Sequence, residues 1–213
     1  MALDYRGAEA IVTEISWADK PAISKFRNPR GYRHPELDKK LIRERLRNEA
    51  RLLEKSAEAG LPVPSLYSVN LDGTLIMEKI QGPSLEEYLK NNNNLSKISD
   101  LGILLSNIHA SGIVHGDPTS SNFIVASELY AIDFGLGSVD DSNEARATDI
   151  RVLLESLEGH HSDLNCRDVL LDAYSKWNNS APVLERLKVI ELRGRYNLMR
   201  LSLIHISEPT RPY

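Results

Sequence analysis

The chain has 213 residues, a net charge of −4 and a single cysteine, Cys166. That length suits one compact domain or two small lobes sharing a cleft, and 41% hydrophobic residues are enough for a core. One thiol excludes an internal disulfide and a cysteine-based metal site, and no apolar run reaches the length a bilayer crossing needs.

The N-terminus lacks the basic and apolar regions of a secretory signal, so a cytoplasmic protein without a membrane contact is expected. The charge balance points to no partner. Locally, Lys25 to Arg33 holds four cations and Arg43 to Arg51 four arginines. The second cluster reads as the solvated face of a helix.

From the N-terminus, Arg6 to Ala10 (RGAEA) forms a turn ahead of the first strand. Its lone glycine, Gly7, is a poor cradle for phosphates. Ala10 to Ile15 is rich in β-branched residues, and Ala22 to Phe26 follows an Asp19-Lys20-Pro21 turn, so both read as strands. Period-two alternation puts Ile23 and Lys25 on one face. An inward lysine needs an anionic partner.

Asn28 to Pro35 is a loop carrying Arg30, Tyr32 and Arg33. Glu36 to Ala59 is a helix by the spacing of Leu37, Leu41, Ile42, Leu46, Ala50 and Leu53, stopped by Gly60 and Pro62. Glu49, beside its apolar stripe, is a candidate partner for Lys25. Glu44 competes for that role. Leu66–Val69 and Thr74–Lys79 flank an Asp-Gly turn and form a hairpin, after which Gly82-Pro83 suits a hinge. Ser84 to Glu87 matches a capping box opening a short helix. A second helix runs from Ser96 to Gly112.

The next stretch, Ile113 to Gly135, reads IVHGDPTSSNFIVASELYAIDFG. Two short strands, Phe123–Val125 and Leu129–Ile132, place Asn122 and Asp133 at neighbouring ends of one hairpin. Phosphoryl transfer needs a carboxylate near the attacking hydroxyl and oxygen ligands holding magnesium against the phosphates. Asp117, Asn122 and Asp133 are groups of that kind, since magnesium prefers hard oxygen donors. His-x-Asp-x-x-x-x-Asn followed at short range by Asp-Phe-Gly matches the protein-kinase-like signature.

Beyond Gly135 the run Leu136 to Ala147 is small and polar, with a helix opening at Asp149 and running to Leu157. Little room is left for an activation segment, and there is no Ala-Pro-Glu element. Asp149 reads either as an anchor for the catalytic loop or as a simple helix N-terminal aspartate. Helices are expected over Asn165–Trp177 and Pro182–Leu192. Leu201 to Tyr213 (LSLIHISEPTRPY) resembles a translated transposase sequencing adaptor and is set aside, His205 and Arg211 with it.

Six motifs fall in order: RGAEA (Arg6 to Ala10), GYRHP (Gly31 to Pro35), NEARLL (Asn48 to Leu53), HGDPTSSN (His115 to Asn122), IDFGL (Ile132 to Leu136) and LRGR (Leu192 to Arg195). Together they resemble the small atypical kinases of the KEOPS (EKC) complex, called PRPK in animals. The resemblance covers nearly all of residues 5 to 196. It implies an α+β, minimal bilobal kinase-like fold, with a strand-rich N-lobe over 1–80 and a mainly helical C-lobe with a basic tail over 81–200. The adaptor-like tail over 201–213 stands apart from it.

It further implies a serine/threonine kinase with magnesium-dependent ATPase activity, using ATP and Mg2+. Its partners would be KEOPS subunits, chiefly the tRNA threonylcarbamoyl transferase, with tRNA met through the complex. By motif, Lys25 would hold the nucleotide phosphates and Glu49 would orient it. Asp117 would be the catalytic base or water-positioning group, and Asn122 and Asp133 would ligate magnesium. Gly7 would lie over the nucleotide, and the backbone of Glu78 to Ile80 would face adenine. Arg193 and Arg195 would belong to a basic tail. Pro118 departs from the leucine of many relatives. Two other readings are a small-molecule kinase of the aminoglycoside or choline type and a non-catalytic kinase-like scaffold.

Overall fold

A computed structural model of the chain describes residues 4–6, 10–28, 34–70, 72–92, 94–160 and 164–205, as backbone alone in 4–6 and 194–205. The first half builds an antiparallel sheet of five strands: β1 (Asp4–Arg6), β2 (Ile11–Trp17), β3 (Lys20–Phe26), β4 (Leu66–Val69) and β5 (Thr74–Glu78). Their order is β1-β2-β3-β5-β4, so β2, β3 and β5 lie inside the sheet. The helix α1 (Pro35–Glu58) is inserted between β3 and β4.

The turn between β2 and β3 lies earlier than expected. Ala18 and Asp19 both take left-handed backbone angles, at φ of 47° and 63°. A two-residue turn of this hand matches the twist of antiparallel strands. Lys20 and Pro21 are therefore strand residues, paired with Trp17 and Ser16. The Asp-Gly hairpin stands where expected, with Asn70 accepting from Gly73 N at 3.2 Å and donating to Thr74 O at 2.9 Å.

Helix α1 buries Leu46, Glu49, Ala50, Leu52, Leu53 and Ser56. Its apolar stripe goes under cover only from Leu46, since Leu37 remains 52% exposed. Each leucine so buried stabilises the fold by roughly 1.5–3 kcal/mol. That burial fixes the rotation of α1, and Glu49, three residues from Leu46 and four from Leu53, must turn inward with them.

The second half comprises α2 (Leu85–Asn91), α3 (Ser96–Ala110), β6 (Ile113–Val114), β7 (Phe123–Val125), β8 (Leu129–Ala131), β9 (Ser138–Val139), α4 (Asn143–His160), α5 (Cys166–Ser175) and α6 (Ser180–His205). Ser84 caps α2 through the reciprocal bonds with Glu87 that the capping box predicts. The fully buried Ile98, Leu101, Leu105 and Ile108 of α3 join Leu170, Tyr174, Ile150 and Leu153 in the core. Among the described residues no helix is long and apolar enough to cross a membrane.

Three features depart from expectation. The strands β6 and β9 pair through Ile113↔Val139 and Val114↔Ser138, a ladder too short to leave a periodic signal. Helix α4 begins at Asn143, so Asp149 sits well inside it and not at its N-terminus. Its early turns look like a loop because they are polar, yet the Ser142 hydroxyl accepts from Ala145 N at 3.2 Å, closing the helix start. Finally, α6 continues past Leu192.

Candidate active site

The strand β6 leads directly into His115, Gly116 and Asp117. Two backbone N–H groups of this loop, those of His115 and Gly116, donate to the Asp149 carboxylate at 2.6 and 2.9 Å. Asp149 is thus the anchor of the loop, the first of its two sequence readings. Behind it, His109 Nε2 lies 3.2 Å from Asp149 Oδ2, and His109 Nδ1 lies 2.8 Å from the Tyr174 hydroxyl. A carboxylate can only accept, so Nε2 carries the hydrogen and Nδ1 accepts from Tyr174. Burial pushes His109 below the ordinary histidine range, outweighing the Asp149 carboxylate beside it.

His115 is wholly buried and does no chemistry at the cleft surface. Its Nε2 donates to Ile132 O at 3.1 Å, and its ring stacks at 4.6 Å on Phe134 of the Asp-Phe-Gly turn. Burial keeps this ring neutral as well, against the pull of Asp149 and Asp133. Gly116 takes φ +82°, and a Cβ there would overlap the carbonyl of Leu136. The segment after the Asp-Phe-Gly turn crosses the loop at that point, and it is pinned there by Asn48 Nδ2 donating to Gly137 O at 2.7 Å.

The ribbon β7–β8 brings Asn122 and Asp133 together, with Ile132 N donating to Asn122 O at 3.0 Å. The Asn122 amide nitrogen donates to Asp117 O at 2.9 Å and reaches its carboxylate at 3.3 Å. Among the described residues the amide oxygen of Asn122 accepts no hydrogen bond, so it is open to a cation. Ser120 is buried and bonded to Ser156, at 3.0 Å from its own N–H, which gives it a loop-shaping place.

Asp133 holds a left-handed backbone at φ +62°, rare for a residue with a side chain and typical of strained functional positions. Its Oδ1 lies 2.7 Å from Lys25 Nζ, which is also 2.7 Å from Glu49 Oε1. Burial alone would raise the Asp133 pKa. The Lys25 ammonium, the Arg27 guanidinium and the Gly135 N–H together hold it below the usual carboxylate range. Glu44 is excluded as the partner of Lys25: it is exposed and pairs with Lys40 at 3.8 Å.

The strand β5 ends at Glu78, whose carboxylate accepts from Ser65 N and Oγ at 3.2 and 2.8 Å. Ile80 follows with neither its N–H nor its C=O engaged among the described residues. Gly7 and Gly31 to Arg33 lie outside the described residues. Sequence reasoning missed Arg27, His109 and Tyr174. Arg27 left a faint signal, since it follows Lys25 by two and so continues the inward alternation of β3 one residue past its end. A groove of about 380 Å³ among Pro62, Asp100, Ile103 and Glu128 holds none of the site groups.

The donor set suits a small hard cation beside polyphosphate: carboxylate and amide oxygens on one wall, with an ion-paired ammonium on the other. Comparison with known proteins shows the family of the chain. A RIO domain model matches residues 20–167. The EKC/KEOPS complex subunit BUD32 of Encephalitozoon cuniculi is 36% identical over 196 residues, covering 92% of this chain and 96% of that protein. Probable bifunctional tRNA threonylcarbamoyladenosine biosynthesis proteins are 40% identical in Methanosarcina mazei and 37% in Methanothermobacter thermautotrophicus, across 89% and 90% of this chain. The chain spans 35% and 36% of their lengths, about a third of each. Among solved structures, the Rio2 kinase–ADP/Mg2+–phosphoaspartate complex of Chaetomium thermophilum superposes with a TM-score of 0.65 at 15% identity, over 92% of this chain and 70% of that one. That likeness concerns the fold.

Proposed function

The chain belongs to the RIO-domain family, in the branch that includes the EKC/KEOPS subunit BUD32, and from this we propose that it is an atypical serine/threonine kinase and ATPase. The observation that carries the reading is Lys25 placed 2.7 Å from both Glu49 and Asp133. In this reading Lys25 turns to the phosphates of ATP and Glu49 keeps it oriented. The backbone of Glu78 to Ile80 would meet adenine, and Gly7, outside the described residues, is assigned to the nucleotide by its motif alone.

Asn122 and Asp133 would hold magnesium, which supplies positive charge against the phosphate oxygens when bound. Asp117 accepts the hydrogen of the attacking hydroxyl or water, and Asn122 fixes that carboxylate in place. With so little covalent work for the protein to do, positioning and electrostatics carry the rate. Only seven residues, Leu136 to Ser142, separate Gly135 from α4, and two of them form β9. That short span favours water or a docked partner's serine as acceptor over a peptide laid along an activation segment.

The names of the relatives support a place in a KEOPS-type assembly, with the tRNA threonylcarbamoyl transferase as main partner and tRNA met through the complex. The site is expected to work in the cytoplasm. In the chain reconstituted with its transferase partner, Asp133→Ala should lower magnesium-dependent ATP turnover by roughly 10³-fold. Unchanged turnover would overturn the assignment.

A further inference from the structure

Arg27 has no part in the roles above, yet it is 5% exposed, slightly more hidden than Lys25. Burying a guanidinium is costly unless its charge is matched and its donors are used. Its Nη2 donates to Glu49 Oε2 at 2.6 Å, while Lys25 takes Glu49 Oε1 at 2.7 Å. The two cations therefore share one carboxylate, an oxygen each. The same Nη2 lies 4.0 Å from Asp133 Oδ1 and rests on Gly135, where a Cβ would overlap it. One side chain just past the end of β3 thus touches both α1 and the turn that carries Asp133.

The charges explain why a second cation is useful. Among the contacts described, Lys25 and Arg27 face Glu49 and Asp133, two cations against two carboxylates. In the phosphoryl-transfer reading, on which this inference rests, Lys25 leaves Asp133 for phosphate and Asp133 turns to a metal. A Glu49 paired with Lys25 alone would then be a buried carboxylate competing with the nucleotide for its only cation. With Arg27 in place, it keeps a fixed partner throughout. We infer that Arg27 is a positioning residue of the site: it seats Glu49 and the Asp133–Gly135 turn while Lys25 changes partners. The planar fork suits this, because it can address two elements at once, which a lysine ammonium does poorly.

The test uses the full chain with Arg27→Gln, Arg27→Lys, Glu49→Gln and the Arg27→Gln/Glu49→Gln pair. ATP turnover is measured against ATP and magnesium concentration, and amide hydrogen exchange is measured without nucleotide. Arg27→Gln should lower kcat by about 30- to 100-fold and raise the half-saturating magnesium, with the KM for ATP moving less than about threefold. Arg27→Lys should recover part of the loss. On the Glu49→Gln background the same change should cost less than about threefold, because the partner is already gone. Without nucleotide, Arg27→Gln should speed exchange around Glu49 and over 133–137 and leave β7 and β8 as they were.

Unchanged kcat and magnesium dependence overturns the inference, as does an equal loss on both backgrounds or faster exchange throughout the chain. If Arg27→Gln does not fold, Arg27→Lys decides: a lower kcat with raised half-saturating magnesium supports the inference, and wild-type values overturn it. A wild-type chain that turns over no more ATP than Asp133→Ala removes the kinase reading itself, and this inference with it. A wild-type chain that is active and matched by Arg27→Gln removes this inference alone.

Discussion

Two aspartates flank the His115–Asn122 loop, and they are held in opposite ways. The Asp133 side chain is 41% exposed and faces two cations across the cleft. The Asp149 side chain is 3% exposed and faces two backbone N–H groups and a neutral histidine. Charges can exchange partners without breaking the fold, whereas buried hydrogen bonds cannot be given up cheaply. The site needs both behaviours. In the proposed phosphoryl-transfer reading, one carboxylate is released to a metal as nucleotide arrives, and the other stays fixed.

The sharpest way to break this contrast is to remove the fixed member. Asp149→Ala leaves the N–H groups of His115 and Gly116 without their acceptor in a dry interior. It should cost roughly 3–5 kcal/mol of stability. Denaturant unfolding measures that directly. In the fraction that remains folded, turnover should fall about 10²-fold, since Asp117 loses its placement and not its chemistry. Asp133→Ala should invert the pattern, with turnover lost and stability nearly kept.

Gly116→Ala probes the same loop from its other side. A left-handed φ of +82° and the overlap with the Leu136 carbonyl both oppose a methyl group. The cost should be about 2–3 kcal/mol, read as a lowered Tm. A change below about 0.5 kcal/mol would mean that the segment after Gly135 is free to step aside.

Acid separates the two regions on the pH axis. His109 and His115 are held neutral by burial, below the ordinary value of 6.5. The unfolded chain therefore binds more protons than the folded one once pH drops below about 6.5, and stability rises with pH across that window. It is fully present above it and is lost on acidification, by at most about 1.4 kcal/mol per pH unit for each ring. Asp133 is also depressed, from an ordinary value of 3.8, so its contribution fades only below that. Unfolding curves at pH 8, 6.5 and 5.5 should show the histidine slope, and His109→Gln should flatten it. A slope unchanged in that variant would mean that the hydrogen-bonded region titrates elsewhere.

How much of this the sequence discloses depends on how far apart the interacting residues are. Asp117, Asn122 and Asp133 are close neighbours in the chain, so their spacing is itself a signal. Lys25 announces its inward face through strand alternation. The pairing of Arg27 with Glu49 spans 22 residues, and that of His109 with Tyr174 spans 65. Nothing local marks such partners, because each could equally be a surface charge or a core aromatic. The helix carrying Asp149 was legible only in its apolar second half. Its first turns are polar because they face solvent, and Arg146 there lies 5.3 Å over Trp177, a contact invisible to periodicity.

The smallest expected effect is also a strict test of the charged region. Glu44 and Glu49 stand five residues apart on α1, and although the apolar stripe favours Glu49 as the partner of Lys25, spacing alone does not exclude Glu44. Glu44 is exposed and pairs with Lys40 at 3.8 Å, whereas Glu49 is buried between Lys25 and Arg27. An exposed helical pair contributes only about 0.3–0.5 kcal/mol, so Glu44→Gln should barely shift the unfolding midpoint and leave turnover at wild-type level. Glu49→Gln keeps the shape but removes the buried charge that Lys25 and Arg27 share, so both quantities should fall sharply in the same assays. If the two substitutions behaved alike, the ammonium of Lys25 would be answering to the field of the whole helix and not to one carboxylate. The position of Glu49 would then be a consequence of core packing with no bearing on the chemistry.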